Sequence, residues 1–237
     1  NAVRSIEENS AKKIFAGEAL PYYDEDSDQT HSFELTAQTP ESIFEVDACT
    51  GIVQVRDASI NFERTEQYIL TVKITDNGID DPILKGTSFY NGNPLFASST
   101  VTINIVDINE KPIFTSSSYT RNIDENSNIA SLVSTPVVAT DPDTKAVDVL
   151  WRTLLYQITT GNPDNVFLVN ENTGQISVNK AELDYETRKG GYALRYKATD
   201  RATPPLSETT DVFVTVMDVN ENPVVTPMTG YMNENVD

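Results

Sequence analysis

The stretch Phe44-Glu45-Val46-Asp47-Ala48-Cys49-Thr50-Gly51-Ile52-Val53-Gln54-Val55 returns as Phe167-Leu168-Val169-Asn170-Glu171-Asn172-Thr173-Gly174-Gln175-Ile176-Ser177-Val178. Both copies keep the Phe, the Val two residues on, the Thr-Gly pair and the final Val. The pattern reads as strand, tight turn, strand. The Gly after Thr supplies the positive φ that a short hairpin turn needs, and the flanking alternation buries one face.

Working outward, further landmarks recur in the same order: Glu8-Asn9 and Glu125-Asn126, Phe62-Glu63 and Tyr185-Glu186, Thr75-Asp76 and Thr199-Asp200. The units close on Asp107-Ile108-Asn109-Glu110 and Asp218-Val219-Asn220-Glu221, and a third copy starts at Glu234-Asn235. A unit that repeats at this length is a structural module. Ahead of each closing motif the apolar residues alternate, Val101, Ile103 and Ile105 in one copy and Val212, Val214 and Val216 in the other, which predicts long half-buried strands. With Pro112 and Pro223 at the junctions and no helical periodicity, the chain reads as two all-β sandwiches in series.

Composition narrows the function. The 237 residues suffice for two modules with a core each, and 38% apolar content argues for globular modules. No apolar run approaches the roughly 18 residues of a membrane span, and no direct membrane contact is expected. The chain opens without Met and stops at Asp237 inside a motif, so it reads as a piece of a longer protein. Acids outnumber bases 36 to 17 for a net charge of −19, which excludes nucleic acid as a partner and makes cations the natural one. One cysteine, Cys49, and one histidine, His31, are too few for zinc or histidine-dependent catalysis. A two-carboxylate hydrolase is disfavoured because the acids recur once per unit, whereas catalytic acids are unique in a chain. Cys49, in the Thr-Gly turn, reads as an exposed thiol or as the donor of an intermolecular disulfide; His31 reads as a loop residue beside Asp24 and Asp26, and Trp151 as core or loop packing.

Calcium takes roughly six to eight oxygens from carboxylates, amides and backbone carbonyls, so a site must gather acids from several segments. Sandwich loops lie at two poles, and acids from the bottom of one unit and the top of the next would meet across Pro112. The ordered set Glu-Asn, Asp-x-Asp, Leu183-Asp184-Tyr185-Glu186, Ala198-Thr199-Asp200 and the Asp-x-Asn-Glu closing motif resembles the cadherin repeat, over essentially the whole chain. Asp-x-Asp alone occurs by chance; five such motifs in order and nearly all twice do not.

The resemblance implies two seven-stranded Greek-key β-sandwiches of the immunoglobulin-like cadherin fold joined end to end, with repeats at 1–111 and 112–222 and a third beginning in 223–237. It implies about three calcium ions at the complete junction. Glu8 and Glu63 would bind the two ions nearer the base of the first repeat, joined by Glu110. Asp143 would bridge two ions, while Asp141, Asp200 and Asn109 would hold the third with backbone carbonyls near Ile108 and Lys111. Asn61 stands where the family has Asp, so the outermost ion is expected to bind more weakly. Glu110 replaces the usual Asp, and the closing motif is one residue short before Pro112. Asp24, Asp26 and Asp76 would form one half-site, and Glu125, Asp184, Glu186 and Glu221, with Glu234, the opposite one. The implied role is an extracellular, calcium-stiffened adhesion module of a membrane-anchored cell-surface protein, with another cadherin ectodomain as homophilic or heterophilic partner; the alternative is a non-adhesive spacer. Finally, Ile79–Ser99 is longer than its counterpart and carries Phe89, Tyr90, Leu95 and Phe96, which predicts an ordered protrusion.

Overall fold

The structure is a computed structural model that describes residues 2–26, 29–78 and 93–223. The chain forms two compact units, one of Asn1–Glu110 with Asp141–Arg152, the other of Lys111–Thr140 with Thr153–Asp237.

The first unit contains β1 (Ala2–Glu7), β2 (His31–Thr39), β3 (Phe44–Val46), β4 (Val53–Val55), β5 (Gln67–Asp76) and β6 (Phe96–Val106). Its main sheet has the order β1-β6-β5-β2, with β1 parallel to β6 and the other pairs antiparallel, and β3 pairs with β4. The inward residues of the period-two strands build the core: Phe33, Phe44, Val53, Val55, Tyr68, Leu70, Val72, Val101, Ile103 and Ile105. The second unit contains β7 (Ile113–Phe114), β8 (Ser118–Asp124), β9 (Ala139–Thr140), β10 (Leu155–Thr160), β11 (Phe167–Val169), β12 (Ile176–Val178), β13 (Tyr192–Thr199) and β14 (Ser207–Met217). The sheet β10-β13-β14-β8 repeats the first unit's order, again with one parallel pair, β8 with β14. Val212, Val214 and Val216 point inward with Tyr156, Phe167, Ile176, Leu194 and Tyr196.

The duplicated stretch forms the same hairpin in each unit. Asp47 Oδ1 accepts from the N–H groups of Cys49 and Thr50 at 3.0 and 2.8 Å, as Asn170 Oδ1 does from Asn172 and Thr173, both at 3.0 Å. The glycine then closes the turn onto the carbonyl of Asp47 or Asn170. Gly51 and Gly174 both have φ of +69°, and a Cβ would fall 2.6 Å from the Phe33 ring in one and 2.4 Å from the Val137 carbonyl oxygen in the other. Only glycine fits this turn without strain.

Three expectations need correction or placing. His31 is not a loop residue: it begins β2, with its side chain largely buried. Of the anticipated protrusion, residues 79–92 lie outside the described residues, and Phe96–Ser99 belong to β6, paired with Lys73, Val72 and their neighbours on β5. That end of the stretch is sheet because β5 is long enough to pair with it. Leu95 and Phe96 stay exposed, so these two do not pack into their own sandwich. The start of a third copy at Glu234 also lies outside the described residues. Cys49 is exposed, and Trp151 is half-buried in a turn.

Candidate metal centre

Glu8 follows directly on β1 and is 1% exposed. A buried carboxylate needs donors, and two backbone N–H groups supply them: Phe62 N to Oε2 at 2.9 Å and Ile108 N to Oε1 at 3.1 Å. The next residue, Asn9, takes a positive φ, and its amide donates to Glu110 Oε1 at 2.8 Å. The Glu-Asn pair thus ties together three segments of the first unit. Asp143, fully buried, accepts from Glu110 N at 2.9 Å, and its own N–H is held by Asp141 Oδ1 at 3.1 Å.

These contacts gather acids. Glu8, Asp107 and Asp143 each offer an oxygen within 4.8 Å of the others, and Glu8, Glu63 and Glu110 form a second such group. The two groups share Glu8. Both oxygens of Glu63, Oδ1 of Asp107, Oε2 of Glu110 and Oδ1 of Asp143 are buried without a hydrogen-bond donor. None of the five is ion-paired with Lys, Arg or His among the described residues. Burial, reinforced by the charges of Glu63, Glu8 and Asp143, pushes Asp107 up to about 7. Glu63 and Glu110 are also raised, first by burial and then by neighbouring carboxylates. Clustered oxygens that lack donors and resist ionisation suit a hard divalent cation, whose charge removes the repulsion. The donor set fits calcium.

Four expected ligands, Glu8, Glu63, Glu110 and Asp143, therefore come together. The fifth, Asp107, was not anticipated as a ligand although it opens the closing motif. The alternation held the signal: Val101, Ile103 and Ile105 face inward, and one more step of two puts Asp107 on the same face. Other expected residues sit elsewhere. The side-chain oxygen of Asn61 accepts from Arg64 N at 2.7 Å, as that of Asp184 does from Thr187 N at 2.9 Å, so each caps a turn. Ile108 contributes its N–H to Glu8, while Asn109, next to Glu110, and Asp141, two residues before Asp143, are half-buried. Lys111 and Asp200 belong to the second unit, where Lys111 pairs with Glu208. Asp200, 2% exposed, accepts from Ala202 N and Leu206 N.

The second unit repeats the Glu-Asn arrangement. Glu125, 3% exposed, accepts from Tyr185 N at 2.8 Å and Val219 N at 2.7 Å, and the Asn126 amide donates to Glu221 at 2.7 Å. Glu125, Asp184 and Glu186 form a three-carboxylate group. Asp24, Asp26 and Asp76 form no such group among the described residues. Asp76 is held by Gly78 N and Leu95 N, and Asp24 by Asp26 N and His31. The His31 ring lies 2.7 Å from Asp24 Oδ2 and 4.6 Å from the Tyr22 ring centroid, and this hydrogen bond lowers Asp24 below its ordinary range.

Known proteins resemble this chain over most of its length. The cadherin domain model matches residues 119–217. Protocadherin Fat 2 of Rattus norvegicus is 33% identical over 192 residues, 81% of this chain and 4% of that protein. Cadherin-23 of Mus musculus is 32% identical over 195 residues, 81% of this chain and 5% of that one, and the protocadherin-like wing polarity protein stan of Drosophila melanogaster is 33% identical over 203 residues, 84% and 5%. The chain thus spans a small fraction of these relatives. Among solved structures, mouse cadherin-23 EC22-24 superposes with a TM-score of 0.61 at 25% identity, covering 92% of this chain and 62% of that one. Drosophila N-cadherin EC1-4 gives 0.60 at 22%, covering 92% and 48%.

Proposed function

Because this chain belongs to the cadherin family as tandem extracellular repeats, we propose that it is a calcium-dependent module of a cell-surface adhesion or linkage protein. As a cadherin ectodomain piece it is not an enzyme. The repeats would run 1–111 and 112–222, with 223–237 opening a third. Calcium would be held by Glu8, Glu63, Asp107, Glu110 and Asp143, with Asn61, Asn109, Asp141, Asp200 and the carbonyls of Ile108 and Lys111 completing about three sites. Asp24, Asp26 and Asp76, and Glu125, Asp184, Glu186 and Glu221, would each serve a further junction. Bound cations would stiffen the chain, because Asp143, which follows Pro112 in sequence, would share an ion with acids that precede it.

The observation that carries this reading is the pair of three-carboxylate groups joined at Glu8, with buried oxygens that lack donors. The partner would be another cadherin ectodomain, and the parent protein would stand on the cell surface. Thermal unfolding in calcium and in chelator tests the site. Calcium should raise the melting temperature, since it binds the folded cluster and not the unfolded chain; coincident melting curves would discard the proposal.

A further inference from the structure

We infer that Lys145 and Glu66 form a metal-independent pin that positions Asp143 for calcium, an inference that rests on the calcium reading above. The Asp143-bearing segment, Asp141–Arg152, is part of the first unit and is braced internally. Asp148 accepts from Leu150 N at 2.9 Å through its side chain and from Trp151 N at 3.1 Å through its carbonyl. Arg152 reaches back to the Thr144 carbonyl, and Ala146 N donates to the Asp143 carbonyl at 3.3 Å. The segment is therefore held as one piece.

Its attachment to the rest of the unit includes two contacts that need no metal. One is the hydrogen bond from Glu110 N to Asp143 Oδ2 at 2.9 Å, and the other is the ion pair of Lys145 Nζ with Glu66 Oε1 at 3.1 Å. Glu66 is anchored in turn, since its carbonyl accepts from Ile105 N at 2.8 Å, two residues before Asp107. Glu66 lies three residues beyond Glu63, and the pin thus fixes the segment to β6, the strand that leads directly into Asp107. Without a cation, Asp143 faces the carboxylates of Glu8 and Asp107, and their repulsion works against the segment's attachment. Attraction between Lys145 and Glu66 opposes that, keeping the ligands close before calcium arrives. This is a property of one repeat: in the second unit the residue three beyond Glu186 is Lys189, which offers no carboxylate.

Trp151 is the chain's single tryptophan and lies in the pinned segment, so it reports on the pin directly. Acrylamide quenching in chelator should be stronger in Glu66→Lys and Lys145→Glu than in the parent, and should return to the parent value in the double swap, which restores the pair at unchanged net charge. Added salt should raise quenching in the parent. Calcium titration should show affinity weakened about two- to fivefold in Glu66→Lys, the range of an exposed ion pair, and recovered in the double swap. Quenching alike in parent and single variants, or unrescued by the swap, overturns the pin. A parent chain that binds no calcium sinks the calcium reading instead, and the chelator quenching still judges the pin.

Discussion

Asp107 is the residue on which the charge of the cluster turns. Its ordinary value of 3.8 is raised to about 7 in the folded chain, chiefly by burial and then by Glu63, Glu8 and Asp143. A folded value above the unfolded one means that the folded, metal-free chain holds a proton which the unfolded chain releases. The associated stability is present below about pH 4 and lost as pH rises through 7. In chelator, this group should make the melting temperature fall between pH 5 and about pH 8, while the increment produced by calcium should grow over the same interval. Asp107→Asn should flatten the chelator profile and melt higher than the parent at about pH 8, yet bind calcium at least tenfold more weakly, because it relieves repulsion and removes a ligand together. Scanning calorimetry at several pH values, with and without calcium, reads both effects; a variant with parental calcium affinity would remove Asp107 from the site. Glu8→Gln tests the companion position, where two N–H donors already hold the side chain. It should keep the fold and lose calcium, and a variant that titrates as the parent would contradict the shared-ligand role.

At the scale of elements, the site is made by where strands stop. β1 ends one residue before Glu8, β6 one residue before Asp107, and β8 and β14 end in the same way before Glu125 and Asp218. Strand alternation delivers Glu8, Asp107 and Glu125 to the inner face at the point where the sheet opens to solvent, so the hydrophobic pattern and the acidic site share one period. The hairpins set the packing behind them. Gly174→Ala should destabilise the second unit by about 1–3 kcal/mol, since a side chain at φ +69° would also run into the Val137 carbonyl. Urea unfolding followed by tyrosine fluorescence should show an earlier transition for that unit. An unchanged midpoint would mean that the turn adapts more easily than its backbone suggests.

For the whole molecule, a net charge of −19 works against compactness unless cations offset it. The chain is expected to be longest and stiffest in calcium and to become mobile in chelator. Magnesium should substitute poorly because it demands a tighter octahedral shell. Asp143→Ala should remove the stiffening while both sandwiches stay folded, since the side chain belongs to no apolar core. Small-angle scattering with and without calcium measures this. Identical profiles for parent and variant in calcium would remove Asp143 from its proposed role between segments.

Much of the fold is legible in the amino-acid sequence. The duplicated Thr-Gly hairpin and the alternating strands determine an all-β repeat, because strand period and turn chemistry are local and duplication doubles each signal; Glu8, Glu63, Glu110 and Asp143 are expected only through the likeness of the repeated acidic motifs to the cadherin repeat. Contacts that depend on where distant side chains point were decided by the tertiary structure alone. His31 meets Asp24 from the first residue of β2, Asn61 spends its oxygen on a turn, and Lys145 finds Glu66 across 79 residues of sequence. Asp107 lies between the two cases: the period that buries Ile105 already aims it inward, but its raised affinity for a proton comes first from burial and then from Glu63, Glu8 and Asp143, which only the folded chain brings within reach.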